Sequence, residues 1–136
     1  MLSNAEIQKK FPMGEAIRPT KSNLEFAIEN GLVLEVTYLS SVANVTTLRD
    51  VRIYSYGKGN GKRFKTSTLY ARIWQVSGES YSRGFLKSTW RTFKTSRIGY
   101  MMWLGKRFNS AVGGYRNSSD RDLNLITYWQ KQSTKK

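Results

Sequence analysis

Residues 32–38, Leu32-Val33-Leu34-Glu35-Val36-Thr37-Tyr38, alternate without a break: Leu32, Leu34, Val36 and Tyr38 project to one side, Val33, Glu35 and Thr37 to the other. A period of two is the repeat of a half-buried strand. The segments that follow continue in the same chemistry. Residues 45–56 are rich in Val, Ile, Thr and Tyr and read as a second strand, with Arg49 and Arg52 on opposite faces if it is unbulged. Gly57-Lys58-Gly59-Asn60-Gly61-Lys62-Arg63 is a flexible cationic turn into a long β-prone stretch, residues 64–76, so a hairpin is expected. A glycine and serine loop, residues 77–84, leads to residues 85–94, and an apolar segment follows at 98–104. This spacing predicts a mainly β fold, a small SH3/Sm-like β-barrel or strongly bent antiparallel sheet with a short N-terminal helix.

That helix is expected just upstream, where Ser22-Asn23-Leu24-Glu25 has capping-box spacing. Leu24, Ala27 and Ile28 fall on one face, and Asn30-Gly31 supplies the stop. Residues 1–21 contain both prolines, Pro12 and Pro19, and no sustained period, and read as a poorly ordered or loosely packed arm. Beyond Gly105, turns are expected at Gly113-Gly114 and over residues 117–120. Residues 123–130 add an edge strand or a short helix, and residues 131–136 form a solvated tail. The resulting organisation is an arm (1–21), one barrel domain (22–105) and a C-terminal extension with a basic tail (106–136).

Lysine and arginine number 23 against nine acidic residues, a net charge of +14 over 136 residues. Such a field attracts polyanions over long range, and nucleic acid is the commonest polyanion a basic domain meets. The competing explanations of the charge are a solubilising surface, an anionic membrane or an acidic protein partner. No apolar run approaches the roughly 20 residues of a membrane helix, so no membrane partner is expected. The first ten residues are polar and charged, unlike a secretory signal, and the absence of cysteine suits a reducing cytoplasm.

Neither histidine nor cysteine is present, which removes the usual general bases, nucleophiles and zinc ligands. No enzyme activity, cofactor or metal is expected. Asp120 and Asp122 read as an exposed helix cap or turn and not as a metal pair. The glycine-rich turn fails as a phosphate-binding loop, because only three residues separate Gly57 from Gly61 and Arg63 stands where a hydroxyl is required. Its cations Lys58, Lys62, Arg63 and Lys65 can still grip a phosphate backbone. Aromatic and basic residues also interleave along the later strands, at Tyr54, Tyr56, Phe64, Tyr70, Arg72, Trp74, Trp90, Arg91, Phe93 and Arg97. Most of these rings, Trp74 and Phe93 among them, are expected in the core.

Ala27-Ile28-Glu29-Asn30 with Val33-Leu34-Glu35-Val36-Thr37-Tyr38, then Arg49-Asp50-Val51, then Arg91-Thr92-Phe93-Lys94-Thr95-Ser96-Arg97-Ile98 together resemble a WYL domain, over slightly more than half the chain. The resemblance implies an Sm-like or SH3-like barrel, a ligand-sensing or regulatory role, nucleic-acid binding through a basic groove, and a tendency to form homo-oligomers. It also implies that Tyr38, Arg49, Arg91 and Arg97 line the pocket.

The reading is therefore a non-enzymatic accessory or regulatory module for single-stranded DNA or RNA. Arg49, Arg52, Arg72, Arg91, Lys94 and Arg97 are expected on phosphate, with Tyr38, Tyr56 or Trp90 stacking on bases. Two alternatives belong to other classes. One is an assembly module docking on an acidic partner through Tyr100-Met101-Met102-Trp103-Leu104; the other is a sensor of a small anionic nucleotide. A stand-alone basic module of this size suits a phage or mobile-element protein acting in the host cytoplasm.

Overall fold

The computed structural model describes residues 2–40, 44–80, 84–85, 89–113, 115 and 120–131. Part of the expected 77–84 loop, the second glycine at 113–114, the turn at 117–119 and the tail beyond residue 131 lie outside the described residues.

Helices α1 (Asn4–Lys10) and α2 (Lys21–Glu29) precede strands β1 (Leu32–Leu39), β2 (Thr46–Gly59), β3 (Leu69–Ser80), β4 (Gly84–Phe85), β5 (Thr89–Lys94), β6 (Ile98–Arg107) and β7 (Leu123–Tyr128). The principal sheet is antiparallel with the order β5-β3-β2-β1-β6. Strand β2 is long enough to hold two partners on one edge, β1 along residues 46–52 and β7 along residues 55–59. The short β4 pairs with the far end of β3.

The link between β5 and β6 determines the shape. These strands lie at opposite ends of the order, yet only a 3₁₀ turn, Thr95–Arg97, joins them. In a flat sheet four strand spacings would separate them by about 19 Å, while such a link reaches at most about 14 Å. The sheet must curl. Across the curl, the ring of Tyr38 in β1 stacks on that of Phe93 in β5 at 3.9 Å, and the Tyr38 hydroxyl accepts from the Lys94 amide at 3.2 Å. Among the described residues the two outer strands are not hydrogen bonded to each other, so the sheet is strongly bent but not closed into a barrel.

The alternation read in residues 32–38 is realised. Leu32, Leu34 and Val36 are wholly buried, packing in one core with Leu24, Ala27 and Ile28 of α2 and with Val51, Ile53, Ile73, Met101 and Trp103. Helix α2 starts slightly earlier than the capping-box pattern indicated. Thr20, held extended after Pro19, accepts from the Asn23 amide at 3.2 Å, while the Ser22 hydroxyl accepts instead from Lys10 Nζ at 2.9 Å. Strand β3 begins at Leu69 and not at Phe64, which lies in the turn with its ring against Tyr70.

Two segments contribute more than expected. Residues 2–20 are no loose arm: α1 carries its own capping box between Ser3 and Glu6, and Ile7 and Phe11 are wholly buried. Phe11 lies parallel to Phe26, their centroids 5.7 Å apart, and Ile17 exchanges two 2.8 Å backbone hydrogen bonds with Met101 at the edge of β6. Beyond β6, Phe108, Tyr115 and Trp129 surround the buried ring of Tyr54, whose hydroxyl donates to the Ser110 carbonyl at 2.8 Å. The expected turn starts later, because β2 runs on through Gly59, and Gly57 within it admits β7: a Cβ there would run into the Asn124 carbonyl, with Leu125 Cα 2.8 Å away.

Replacing Phe11 by Ala should destabilise the protein by about 3–5 kcal/mol, the range for truncating a buried phenylalanine. Urea unfolding checks this, since an undocked arm would leave the midpoint where it was.

Candidate anion-binding cleft

Four stretches of chain that are distant in sequence meet beside the β2–β3 turn. The turn itself is pinned: Asn60 donates from its amide to the Asp122 carbonyl at 3.0 Å and from its side chain to the Arg121 carbonyl at 2.8 Å. Between this turn, β3, β5, Tyr115 and residues 120–122 opens a cleft of about 470 Å³, lined by Ser55, Arg63, Arg72, Trp90, Arg91, Thr92, Tyr115, Asp120, Arg121 and Asp122.

Arg72 organises the cleft. Its Nε and Nη2 donate to Asp120 at 2.9 and 3.0 Å in a two-pronged pair, Nη2 also reaches Asp122 at 3.1 Å, and Nη1 donates to the Thr92 hydroxyl. A fork of this kind fixes orientation as well as charge. Asp120 in turn accepts from the amides of Asp122 and Leu123 at 2.9 and 3.1 Å, an Asx-type turn, but both carboxylates are largely buried against Arg72 and not exposed as expected. Burial alone would raise the Asp120 carboxyl. The hydrogen bonds from Arg72 and the two amides outweigh it and hold the group below its ordinary value.

Asp122 is buried, and it gathers Arg63 at 3.6 Å and Arg121 at 4.0 Å besides Arg72. Those two guanidinium groups are largely exposed, with side-chain exposures of 62% and 75%. At such distances in water the attraction is weak, so both are able to turn toward a ligand, whereas Arg72 is committed. With Arg91, the cleft holds four arginines against two carboxylates.

The wider charge distribution has the same direction. Residues 1–35 carry four cations and five carboxylates, while residues 36–136 carry nineteen cations and four carboxylates. The first 35 residues are near neutral, and the excess lies in the remainder of the chain.

Of the sequence-predicted residues, Arg63, Arg72, Trp90 and Arg91 come together in this cleft. Lys62 and Lys65 are exposed on the adjoining turn. Tyr38 and Arg49 meet elsewhere, on the inner side of the bend. Arg49 is only 5% exposed, lies 5.3 and 5.1 Å over the rings of Tyr38 and Phe93, and donates to Thr47 and Gln75. It faces inward because regular pairing places it opposite the buried Val36. Arg97 donates to the Leu39 carbonyl at 3.2 Å, and Lys94 gives its amide to Tyr38. Arg52, on the other face, lies 5.2 Å over Phe108. Tyr56 is 1% exposed and cannot stack on a base, and burial raises its phenol above the ordinary value. In the apolar run proposed as a contact surface Met101 and Trp103 are interior, at 0% and 2% exposure, while Tyr100, Met102 and Leu104 are half-buried.

Tyr115 and Arg121 were not singled out by sequence. Nothing local marks them, since their partners are set by the return of β7 to β2.

Asp120→Asn should cost on the order of 2 kcal/mol near neutral pH, as for a hydrogen bond to a charged group. A carboxyl held lower in the folded state stabilises above its unfolded pKa of about 3.9, and that stabilisation disappears as pH falls through the folded value. The gap between wild type and variant, followed by denaturant unfolding, should therefore close below about pH 4. A gap that persisted at pH 2 would contradict this assignment.

Comparison with protein-family models, with curated proteins and with solved structures finds no match for this chain.

Proposed function

We propose that this protein is a non-catalytic nucleic-acid-binding module that takes a single-stranded DNA or RNA backbone along its arginine-lined cleft. The observation that carries the reading is the concentration of charge: nineteen cations against four carboxylates beyond residue 35, with Arg63, Arg91 and Arg121 lining one cleft beside exposed Lys62 and Lys65. Phosphate contacts need charge and reach more than exact placement, and long exposed side chains on a pinned turn supply both. The resemblance to WYL domains, with their basic groove and regulatory role, supports the same reading.

A non-catalytic role accords with the chemistry of the cleft. Both carboxylates there are engaged by arginine, and the chain has no histidine or cysteine to act in their place. Among the described residues no helix is long and apolar enough to cross a membrane.

A second reading rests on size. A cleft of about 470 Å³ lies within the range of small-molecule sites, so a free nucleotide could be the ligand, as in a sensor.

Titration of a labelled single-stranded oligonucleotide across a salt series tests both. Binding should weaken steeply with salt, and replacing Arg63 and Arg121 together by Gln should reduce the slope of log K against log salt by about 1.4, or roughly 0.7 per phosphate contact on a single strand. Affinity independent of salt would overturn the proposal. A mononucleotide bound as tightly as the oligomer would transfer the assignment to the sensor.

A further inference from the structure

Three guanidinium groups converge on one carboxylate oxygen in the cleft. Asp122 Oδ2 lies 3.1 Å from Arg72 Nη2, 3.6 Å from Arg63 Nη1 and 4.0 Å from Arg121 Nε. Only the first contact is within hydrogen-bond distance. Arg72 therefore holds the carboxylate, while Arg63 and Arg121 lean toward it from positions largely in water. An oxygen that draws several arginines is the arrangement a phosphate oxygen meets in an arginine site.

The backbones that carry the two outer arginines are tied to each other through Asn60. Its side chain donates to the Arg121 carbonyl at 2.8 Å, its amide donates to the Asp122 carbonyl at 3.0 Å, and its Oδ1 accepts from the Lys62 amide at 3.1 Å. The turn closes where the Gly61 amide donates to the Phe64 carbonyl at 2.9 Å, with Gly61 at a φ of 90°. The roots of Arg63 and Arg121 are thus held in register, and their side chains can still reorient. Among the five groups that these ion pairs join, three arginines face two aspartates, an excess of one positive charge. One phosphodiester carries the matching charge.

We propose that Asp122 stands, in the free protein, in the place of a ligand phosphate: Arg63 and Arg121 form a subsite for one backbone phosphodiester, and binding is an exchange in which both turn from Asp122 to the phosphate oxygens. The proposal rests on the nucleic-acid reading above and adds the group that tempers how tightly the cleft holds its ligand. Arg72 makes the exchange feasible, because its bonds to Asp120 and Asp122 remain and neither buried carboxylate loses its cation. Asp122 is then a like charge beside the phosphate, so removing that charge tightens binding. A carboxylate that only held the fold would have the opposite effect or none.

The test compares Asp122→Asn with Glu35→Gln, which changes the net charge equally on β1, outside the cleft, where Glu35 accepts from the Tyr100 hydroxyl. Labelled oligothymidylate is titrated into each protein at about 0.1 M salt, where charges more than about 10 Å apart are largely screened. Asp122→Asn should bind at least about fivefold more tightly than wild type, the effect of one unit charge about 4 Å away even at the dielectric constant of water. Glu35→Gln should bind as wild type does. Unchanged or weaker binding by folded Asp122→Asn would overturn the exchange and leave the nucleic-acid reading standing. An equal gain in both variants would overturn it too, by reducing the effect to net charge. Wild-type protein gives a second measurement that does not depend on the variant's folding. The Nε–Hε resonances of Arg63 and Arg121 should shift on addition of oligothymidylate and of inorganic phosphate, with that of Arg72 unmoved. A shift confined to Arg72, or in none of the three, would overturn the exchange. A response to inorganic phosphate alone would overturn the backbone ligand in favour of free phosphate. Failure of oligothymidylate to bind wild type even at low salt would overturn the subsite together with the nucleic-acid reading.

Discussion

The three residues Thr95–Arg97 connect strands at opposite ends of a five-strand order, and a link so short is compatible only with a sheet curled on itself. The curl brings Tyr38 onto Phe93 and places Arg49 against both rings inside the bend. It also determines which face of β5 turns outward, and therefore where Trp90 stands. Packing reinforces the geometry. The sheet packs with α2 in one core, and Phe108, Tyr115 and Trp129 gather around Tyr54.

Charge is handled differently at the two arginine clusters. Arg49, inside, is held by Thr47, Gln75 and two aromatic rings, an environment that satisfies donors and offers a π face to the cation. In the cleft, Arg72 is neutralised by Asp120 and Asp122, and the guanidinium groups of Arg63 and Arg121 lie around the buried carboxylate of Asp122. Partial neutralisation lets several arginines share a small space without severe self-repulsion and still leaves a positive excess for an incoming anion.

Much of this fold is legible in the sequence, and the illegible parts share one cause. The alternation in residues 32–38, the buried face Leu24, Ala27 and Ile28, and the stop at Asn30-Gly31 are all local signals, and each is realised. The N-terminal residues carry no long period, so the burial of Ile7 and Phe11 could not be read from pattern: two side chains suffice to dock a single short helix. At the site, Arg63, Arg72, Trp90 and Arg91 were legible as charge and aromatics in a β-prone region. Tyr115 and Arg121 were not, because their position depends on β7 pairing with β2 across more than sixty residues. Tyr56 and Arg49 were misplaced as surface groups because composition does not reveal which face of a strand turns inward.

The C-terminal segment has a consequence for the order in which the protein is built. Arg63 is synthesised early and Arg121 late, and the wall formed by Tyr115 and the clamp formed by Asp120 and Asp122 come from the last part of the described chain. A growing polypeptide can therefore assemble the bent sheet through β6 well before it possesses a cleft. The cationic turn is pinned through Asn60 by residues 121–122, so the cleft is complete only once that last segment has docked.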